Sequence, residues 1–321
     1  MIATISQVHR RSRVRHAFSM VELLVTMTLL SLIVFVLMAV FSSTQQAFRS
    51  SVTQTDVLEG SRAAVDLMTA DLRGMAPAYG VSNFVQLANN NYVYGGVNFY
   101  VTNNNIRYLP GYVPLPQTLP GSSVQRSNVL QYFFVLGRVN TKWTGAGYVV
   151  NSASASPIYP LYRFYAEENQ ELSPLLLFQQ FQNEIFYDQF TNMSHVMDGV
   201  VHLVVRGYDP GGFLMTNTYR YTYESNPART VTNAVYNVWF SPPIWGEVGM
   251  TCYSNAVPAS VELELGVLED RARQRAESRS IAGTPPQQNQ PQWQYLQSQA
   301  GHVYLFRNRV TVANVDATAF Q

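Results

Sequence analysis

Hydrophobic positions divide the chain into three regimes. Leu23 to Phe41 is an unbroken stretch of nineteen residues without a charge. At about 1.5 Å per helical residue it spans roughly 28 Å, close to the hydrocarbon thickness of a bilayer. Thr26, Thr28 and Ser31 are its hydroxyls, and a helix can satisfy each on its own carbonyls. Beyond it, Phe48, Val52, Thr55, Leu58, Val65, Met68, Leu72 and Met75 recur at three- or four-residue steps, with one step skipped near Ser61 and Arg62. This spacing predicts an amphipathic continuation, with Glu59, Arg62, Asp66 and Arg73 mostly off the stripe and solvated. Gly60 permits a bend, and Gly74 with Pro77 ends the pattern. One helix from about Phe18 to about Met75 is expected.

After Pro77 the residues become β-favouring, punctuated by Asn, Gly and Pro. Strands are expected at Val93–Val101, Asn128–Leu136, Ile158–Ala166, Val200–Tyr208, Phe213–Tyr223 and Ser260–Leu268. Asp209-Pro-Gly-Gly212 is a turn signal, so Val200–Tyr223 reads as a hairpin. Val261-Glu-Leu-Glu-Leu265 alternates as a half-buried strand does. His302–Val315 alternates less cleanly and is a candidate last strand. Two segments read as insertions. Ala88–Asn105, rich in Asn and Tyr, is expected as a surface loop or hairpin tip. Glu269–Ala300 is polar, carries Arg271, Arg273, Arg275 and Arg279, and ends in a Pro- and Gln-rich stretch. A short helix followed by a mobile linker is expected there. Its arginines suit a solvated loop, or else an acidic partner or lipid headgroups. The fold class is therefore α+β, a long N-terminal helix followed by an antiparallel, strand-rich head over residues 77–321.

Composition narrows the function classes. Apolar types make up 47% of the 321 residues, enough for a sizeable core, and this excludes a disordered chain. Charged residues are only 13% and the net charge is +1, so bulk nucleic-acid binding is not expected. Cys252 is the single cysteine, which excludes a disulfide framework within the chain and a CxxC zinc site. His9, His16, His195, His202 and His302 form no HExxH pattern. Ser194, His195 and Asp198 have the residue types of a hydrolase, but there is no GxSxG elbow. Glu167, Glu168 and Asp188 offer carboxylates without a glycosidase spacing. No Walker, GxGxxG or DxDxDG loop is present. Neither catalysis, a metal nor a cofactor is expected.

The N-terminus carries the most specific signal. Arg10, Arg11, Arg13 and Arg15 precede the apolar run with no acid among them, so this end is expected to stay cytoplasmic. The apolar run is too long for an ordinary signal peptide, and the best cleavage site after it, near Val40–Ser42, is poor. A plain anchor leaves Glu22 unexplained, because a carboxylate at the edge of an apolar span is costly. Ala17-Phe-Ser-Met-Val-Glu22-Leu-Leu-Val resembles the processing motif of type IV prepilins and type II secretion pseudopilins. The resemblance implies a basic leader, residues 1–17, cut between Ala17 and Phe18, with N-methylation of Phe18 and Glu22 at mature position five. The family usually has Gly where this chain has Ala17. Gly60 to Arg73 is similar to the helix of J-type minor pseudopilins and W-type pilins. Val129-Leu-Gln-Tyr-Phe-Phe, Tyr159-Pro-Leu-Tyr-Arg163, Met197-Asp-Gly-Val-Val201 and Val261–Leu265 follow the J-type strand order. In length and texture the chain also resembles the prepilin-type Verru_Chthon cassette protein C group.

The resemblance implies a pilin-like plan, with an assembly helix at residues 18–41, an amphipathic half at 42–76 packed on a sheet, and a periplasmic or extracellular head. It implies a subunit at the tip or in the body of a type II secretion or type IV pilus-like filament. Its partners would be prepilin peptidase, other minor pseudopilins or pilins, an inner-membrane assembly platform and, before assembly, membrane lipid. Glu22 would pair with the N-terminal amine of a neighbouring subunit. The competing expectation is a membrane-anchored extracytoplasmic module that binds a carbohydrate or surface polymer.

Overall fold

The computed structural model describes residues 19–78, 85–86, 92–93, 96–103, 114–119, 121, 123–151, 159–169, 174–186, 192–216, 237–241, 243, 246–279 and 290–320. The chain forms two units, Met1–Val52 and Thr53–Gln321, taken separately below. Helix α1 (Met20–Arg73) has 54 residues and contributes to both. Within the first unit its side chains are exposed on every face. The stripe residues Phe48 and Val52, expected on a packed face, are 68% and 57% exposed.

In the second unit the three- and four-residue spacing becomes burial. Ala64, Val65, Met68, Leu72 and Met75 enter the core, with Val57 and Leu67 partly buried beside it. Glu59, Arg62, Asp66 and Arg73 lie exposed, as the pattern requires. The helix runs through Gly60 without interruption. It ends at Arg73, where Gly74 follows and the Ala76 N–H donates to the Leu136 carbonyl at 3.0 Å.

The strands follow as β1 (Val85–Gln86), β2 (Tyr92–Val93), β3 (Val97–Asn103), β4 (Leu115–Thr118), β5 (Gln125–Asn128), β6 (Gln131–Val139), β7 (Lys142–Val150) and β8 (Leu161–Asn169). After α2 (Leu175–Phe186) come β9 (Met193–Met197), β10 (Val200–Tyr208), β11 (Val238–Phe240), β12 (Met250–Tyr253) and β13 (Ser260–Leu268). Helices α3 (Asp270–Glu277) and α4 (Pro291–Gln297) precede β14 (Val303–Thr311). Among the described residues the large sheet runs β11-β12-β3-β6-β7-β8-β9, and a three-stranded sheet runs β10-β13-β14. β1 pairs with β2 and β4 with β5. All these ladders are antiparallel, so the fold is α+β.

Strand alternation gives the large sheet two apolar faces. Phe99, Phe133, Tyr148 and Leu161 face the core built with α1, the small sheet, α3 and α4. Tyr132, Phe134, Trp143 and Phe164 face α2, whose Leu177, Phe181 and Ile185 fill the second core. The α2 face depends on two glycines of β7. A Cβ at Gly147 would sit 2.3 Å from the Phe181 ring, and one at Gly145 would meet Leu177 and Phe134 at 3.0 Å. Phe181 is fully buried and has no room to retreat. Gly147→Ala is therefore expected to destabilise the head by about 1–3 kcal/mol, read as a lower urea midpoint at unchanged slope.

Several sequence expectations shift. β10 and β13 have the expected bounds, while β6 and β8 lie three residues later than expected. Much of Ala88–Asn105 is not a surface insertion, because β3 is an internal strand of the large sheet. Asn98 is buried and donates to the Ser254 and Ala256 carbonyls at 2.8 Å, while accepting from the Ala78 N–H at 2.9 Å. Buried Asn103 joins Gln131, which in turn accepts from the Val205 N–H at 2.7 Å and ties the two sheets. Asn89, Asn90, Asn91, Asn104 and Asn105 lie outside the described residues. The turn at Asp209 is present, with the Gly212 N–H on the Asp209 carbonyl and the Phe213 N–H on Asp209 Oδ1. Its return arm makes a single bridge, Leu214 to Tyr208, over residues 213–216, and 217–223 lie outside the described residues.

The segment expected as a short helix and a linker gives two helices. α3 holds the expected first helix, and residues 280–289 lie outside the described residues. α4 replaces the end of the expected linker, opening on Pro291, whose fixed φ suits the first helical position. Trp293 and Leu296 are 2% and 0% exposed and belong to the main core. Burying a Leu or a larger residue is worth roughly 1.5–3 kcal/mol, which outweighs the poor helix-forming context.

Candidate processing and assembly site

The described chain begins one residue before α1, at Ser19. The Ser19 N–H donates to Glu22 Oε2 at 3.0 Å, and the Glu22 N–H donates to Ser19 Oγ at 3.2 Å. These reciprocal bonds form a capping box, in which a hydroxyl and a carboxylate three residues apart satisfy two N–H groups that a helix start leaves open. The carboxylate also sits at the positive end of the helix dipole. Glu22 thus has a role within its own chain that the sequence reading missed, although Ser19-x-x-Glu22 is the legible signature.

Above Glu22 the helix is apolar all round. The fifteen large apolar side chains from Leu23 to Phe41 are between 47% and 73% exposed. Thr26 donates to the Leu23 carbonyl, Thr28 to Val25 and Ser31 to Met27, at 2.8–2.9 Å, so no hydroxyl needs water. The helix is long and apolar enough to cross a membrane. Ala17, Phe18, Arg10, Arg11, Arg13 and Arg15 lie outside the described residues.

In the head, Ser194 and His195 are neighbours on β9 and so point to opposite faces of the sheet. His195 packs edge-on against Tyr162 and bonds Asp198 at 2.8 Å, while Ser194 lies opposite Arg163 in the ladder. The three are not strung together as a relay. Glu167 is held by Lys142 at 3.2 Å and by the Tyr165 hydroxyl, and Glu168 accepts from Gln180. Asp188 lies outside the described residues. An open groove of about 260 Å³ carries Asp56, Asp198 and Asp270 on its rim, and Arg273 bonds Asp270 and Glu277 at 2.6 and 2.7 Å.

Two polar clusters were not foreseen. Asp71, on α1, receives Arg163 through both carboxylate oxygens at 2.8 and 2.9 Å and the Tyr148 hydroxyl at 2.5 Å. Burial first, and Asp71 beside it second, push the Tyr148 hydroxyl far up, so it stays protonated and donates. On the outer face of the small sheet, Arg206 bonds Glu247, Glu262 and Glu264, and Arg307 bonds Glu262. The half-buried alternation of Val261–Leu265 sets Glu262 and Glu264 on one face, where they join an ion-pair network. The arginine partners are distant in sequence, so no local spacing announces them. Comparison with family models, with curated proteins and with solved structures gives no match.

Proposed function

We propose that the chain is a minor pseudopilin or minor pilin whose work is assembly rather than catalysis. The observation that carries this reading is the Ser19–Glu22 box opening an all-round apolar helix, next to a sequence, Ala17-Phe18, that resembles a prepilin cleavage site. In this reading prepilin peptidase removes residues 1–17 and methylates Phe18. The arginines of the leader hold that end cytoplasmic, and the head lies in the periplasm or outside the cell. Membrane lipid covers Leu23–Phe41 until sister helices replace it at the assembly platform. Glu22 then exchanges its bond within the chain for the N-terminal amine of a neighbour, which removes an uncompensated charge from an apolar setting and sets the register.

The test is the mature N-terminus, read by mass spectrometry on protein purified from native membranes. Methylated Phe18 is the expected result. An intact Met1, or a cut near Ser42, would overturn the reading and leave a membrane-anchored or secreted binding module.

A further inference from the structure

From Leu305 to Thr311, strand β14 leaves one side of its backbone without a partner among the described residues. It runs along β13 in unbroken register, from Val303 opposite Leu268 to Thr311 opposite Ser260. Two bonds just beyond the strand ends fix its orientation. The Glu269 N–H donates to the His302 carbonyl at 2.8 Å, and the Val312 N–H donates to the Ala259 carbonyl at 3.0 Å. In an antiparallel pair alternate residues exchange hydrogen bonds, so the even-numbered residues of β14 bond to β13. The Val303 N–H is taken by the Ala300 carbonyl, but the N–H and C=O groups of Leu305, Arg307, Arg309 and Thr311 point the other way, and β14 is the last strand of its sheet among the described residues.

Edges of this kind are usually blunted by shortness, a bulge, a proline or charges laid across them. β14 has nine residues, an uninterrupted register and no proline. Its two charges are drawn back over the sheet. Arg307 donates to Glu262 at 2.8 and 3.1 Å, and Arg309 donates to Ser260 at 3.0 Å while its guanidinium lies 3.9 Å over the Tyr208 ring. The other face is anchored, with Asn308 donating to Thr69 of α1 and Val310 in the core. The edge is thus anchored, long and uncovered among the described residues.

We propose that β14 is a strand-addition site for an extended partner segment that carries carboxylates at alternate positions. An added strand sets its side chains about 4.5–5.5 Å from those directly opposite. On the outer face it would meet Arg307 and Arg309, two residues apart, on a strand without an acid. Behind them Glu264 and Glu262 stand opposite Arg307 and Arg309 in the ladder and are shared with Arg206. Carboxylates at alternate positions complete an acid–arginine–acid row across three strands. Lysines there would face arginines, and a second copy of β14 would set arginines beside arginines. Main-chain bonds supply the attachment and the charges set the register. The proposal does not depend on how the N-terminus is processed.

The test uses the full-length protein in detergent micelles and two capped nine-residue peptides, one alternating Glu and Val, the other Lys and Val. Hydrogen exchange is read at the Leu305, Arg307 and Arg309 amides. The Glu peptide is expected to slow these by about tenfold or more relative to the Lys peptide, with the inner Leu263 and Leu265 amides unchanged. Leu305→Pro removes one outward N–H and should abolish the protection. If that variant loses protection at Leu263 it has unfolded, and Arg307→Gln decides instead, because it should shrink the difference between the peptides. Equal protection by both peptides, or by neither, would sink the proposal. So would protection already present in the free protein, whether constant (the chain's own segment covers the edge) or growing with protein concentration (a second copy does).

Discussion

Asp71→Asn is expected to destabilise the head by about 3–5 kcal/mol, the usual cost of removing one partner from a buried ion pair. Side-chain exposure is 13% for Asp71 and 20% for Arg163, which places the pair much nearer the buried limit than the surface one. A surface pair would be worth about 0–1 kcal/mol, so the measured value discriminates between the two. Asparagine keeps the shape but leaves the Arg163 guanidinium without its counter-charge. It also weakens the acceptor of the Tyr148 hydroxyl, whose ring is fully buried and stacked 5.0 Å from Phe133. At roughly 2–4 °C per kcal/mol for a domain of this size, the melting temperature should fall by roughly 6–20 °C. The double variant Asp71→Leu/Arg163→Met should be less destabilised than the sum of its single variants, because neither charge is then stranded. Additive losses would show that the pair acts as two independent surface groups.

Acid should weaken the head through His202 before it affects the ion-pair carboxylates. His202 lies on β10 with its ring buried, and Nδ1 accepts the Val129 N–H at 3.2 Å. The proton of the neutral ring therefore sits on Nε2, which is buried, lacks a hydrogen-bond partner among the described residues and has Glu264 3.8 Å away. Burial, the largest cause, pulls His202 down to about 4; Glu264 opposes this, and Arg126 and Arg206 add to it. Since the folded value lies below the unfolded value of about 6.5, the unfolded chain binds the extra proton first as pH falls. Stability is then complete above about pH 6.5 and declines towards pH 4, by roughly 3 kcal/mol at most. Glu262 is also shifted. Burial alone would raise it, but Arg307, Arg206 and Tyr208 together hold it below its ordinary value. Its contribution is lost only below the ordinary carboxylate range of about 4.3, a lower window. Urea unfolding from pH 7 to 4 should show the first decline in the natural chain and a flatter profile in His202→Gln. An unchanged slope in the variant would place the acid sensitivity elsewhere.

Much of the architecture was legible because it is written in local periodicity. Val200–Tyr208 and Ser260–Leu268 have the bounds that β-branched and alternating residues mark. β7 and α2 were not foreseen. In Lys142–Val150 the glycines that admit Leu177 and Phe181 erase the apolar alternation a strand shows, so the signal is weak where the packing is closest. The Asn- and Tyr-rich Ala88–Asn105 read both as a loop or hairpin tip and, over Val93–Val101, as a strand; β3 (Val97–Asn103) follows the strand reading, and long-range partners such as Gln131 and the Ser254 carbonyl make Asn98 and Asn103 core residues.

The candidate site divides in the same way. The charge-free run of Leu23–Phe41, the position of Glu22 and the arginines before them follow from the amino-acid order, because solvation of a single helix depends only on its own side chains. The exchange of bonds between Ser19 and Glu22 is likewise local, spanning one turn. Asp71 with Arg163, Arg206 with its three glutamates, and the open edge of β14 depend on which segments meet after the chain folds. Such pairings join residues dozens of positions apart, and the stability of a buried charge or an unpaired strand edge depends on what stands opposite it. That partner is chosen by tertiary structure alone.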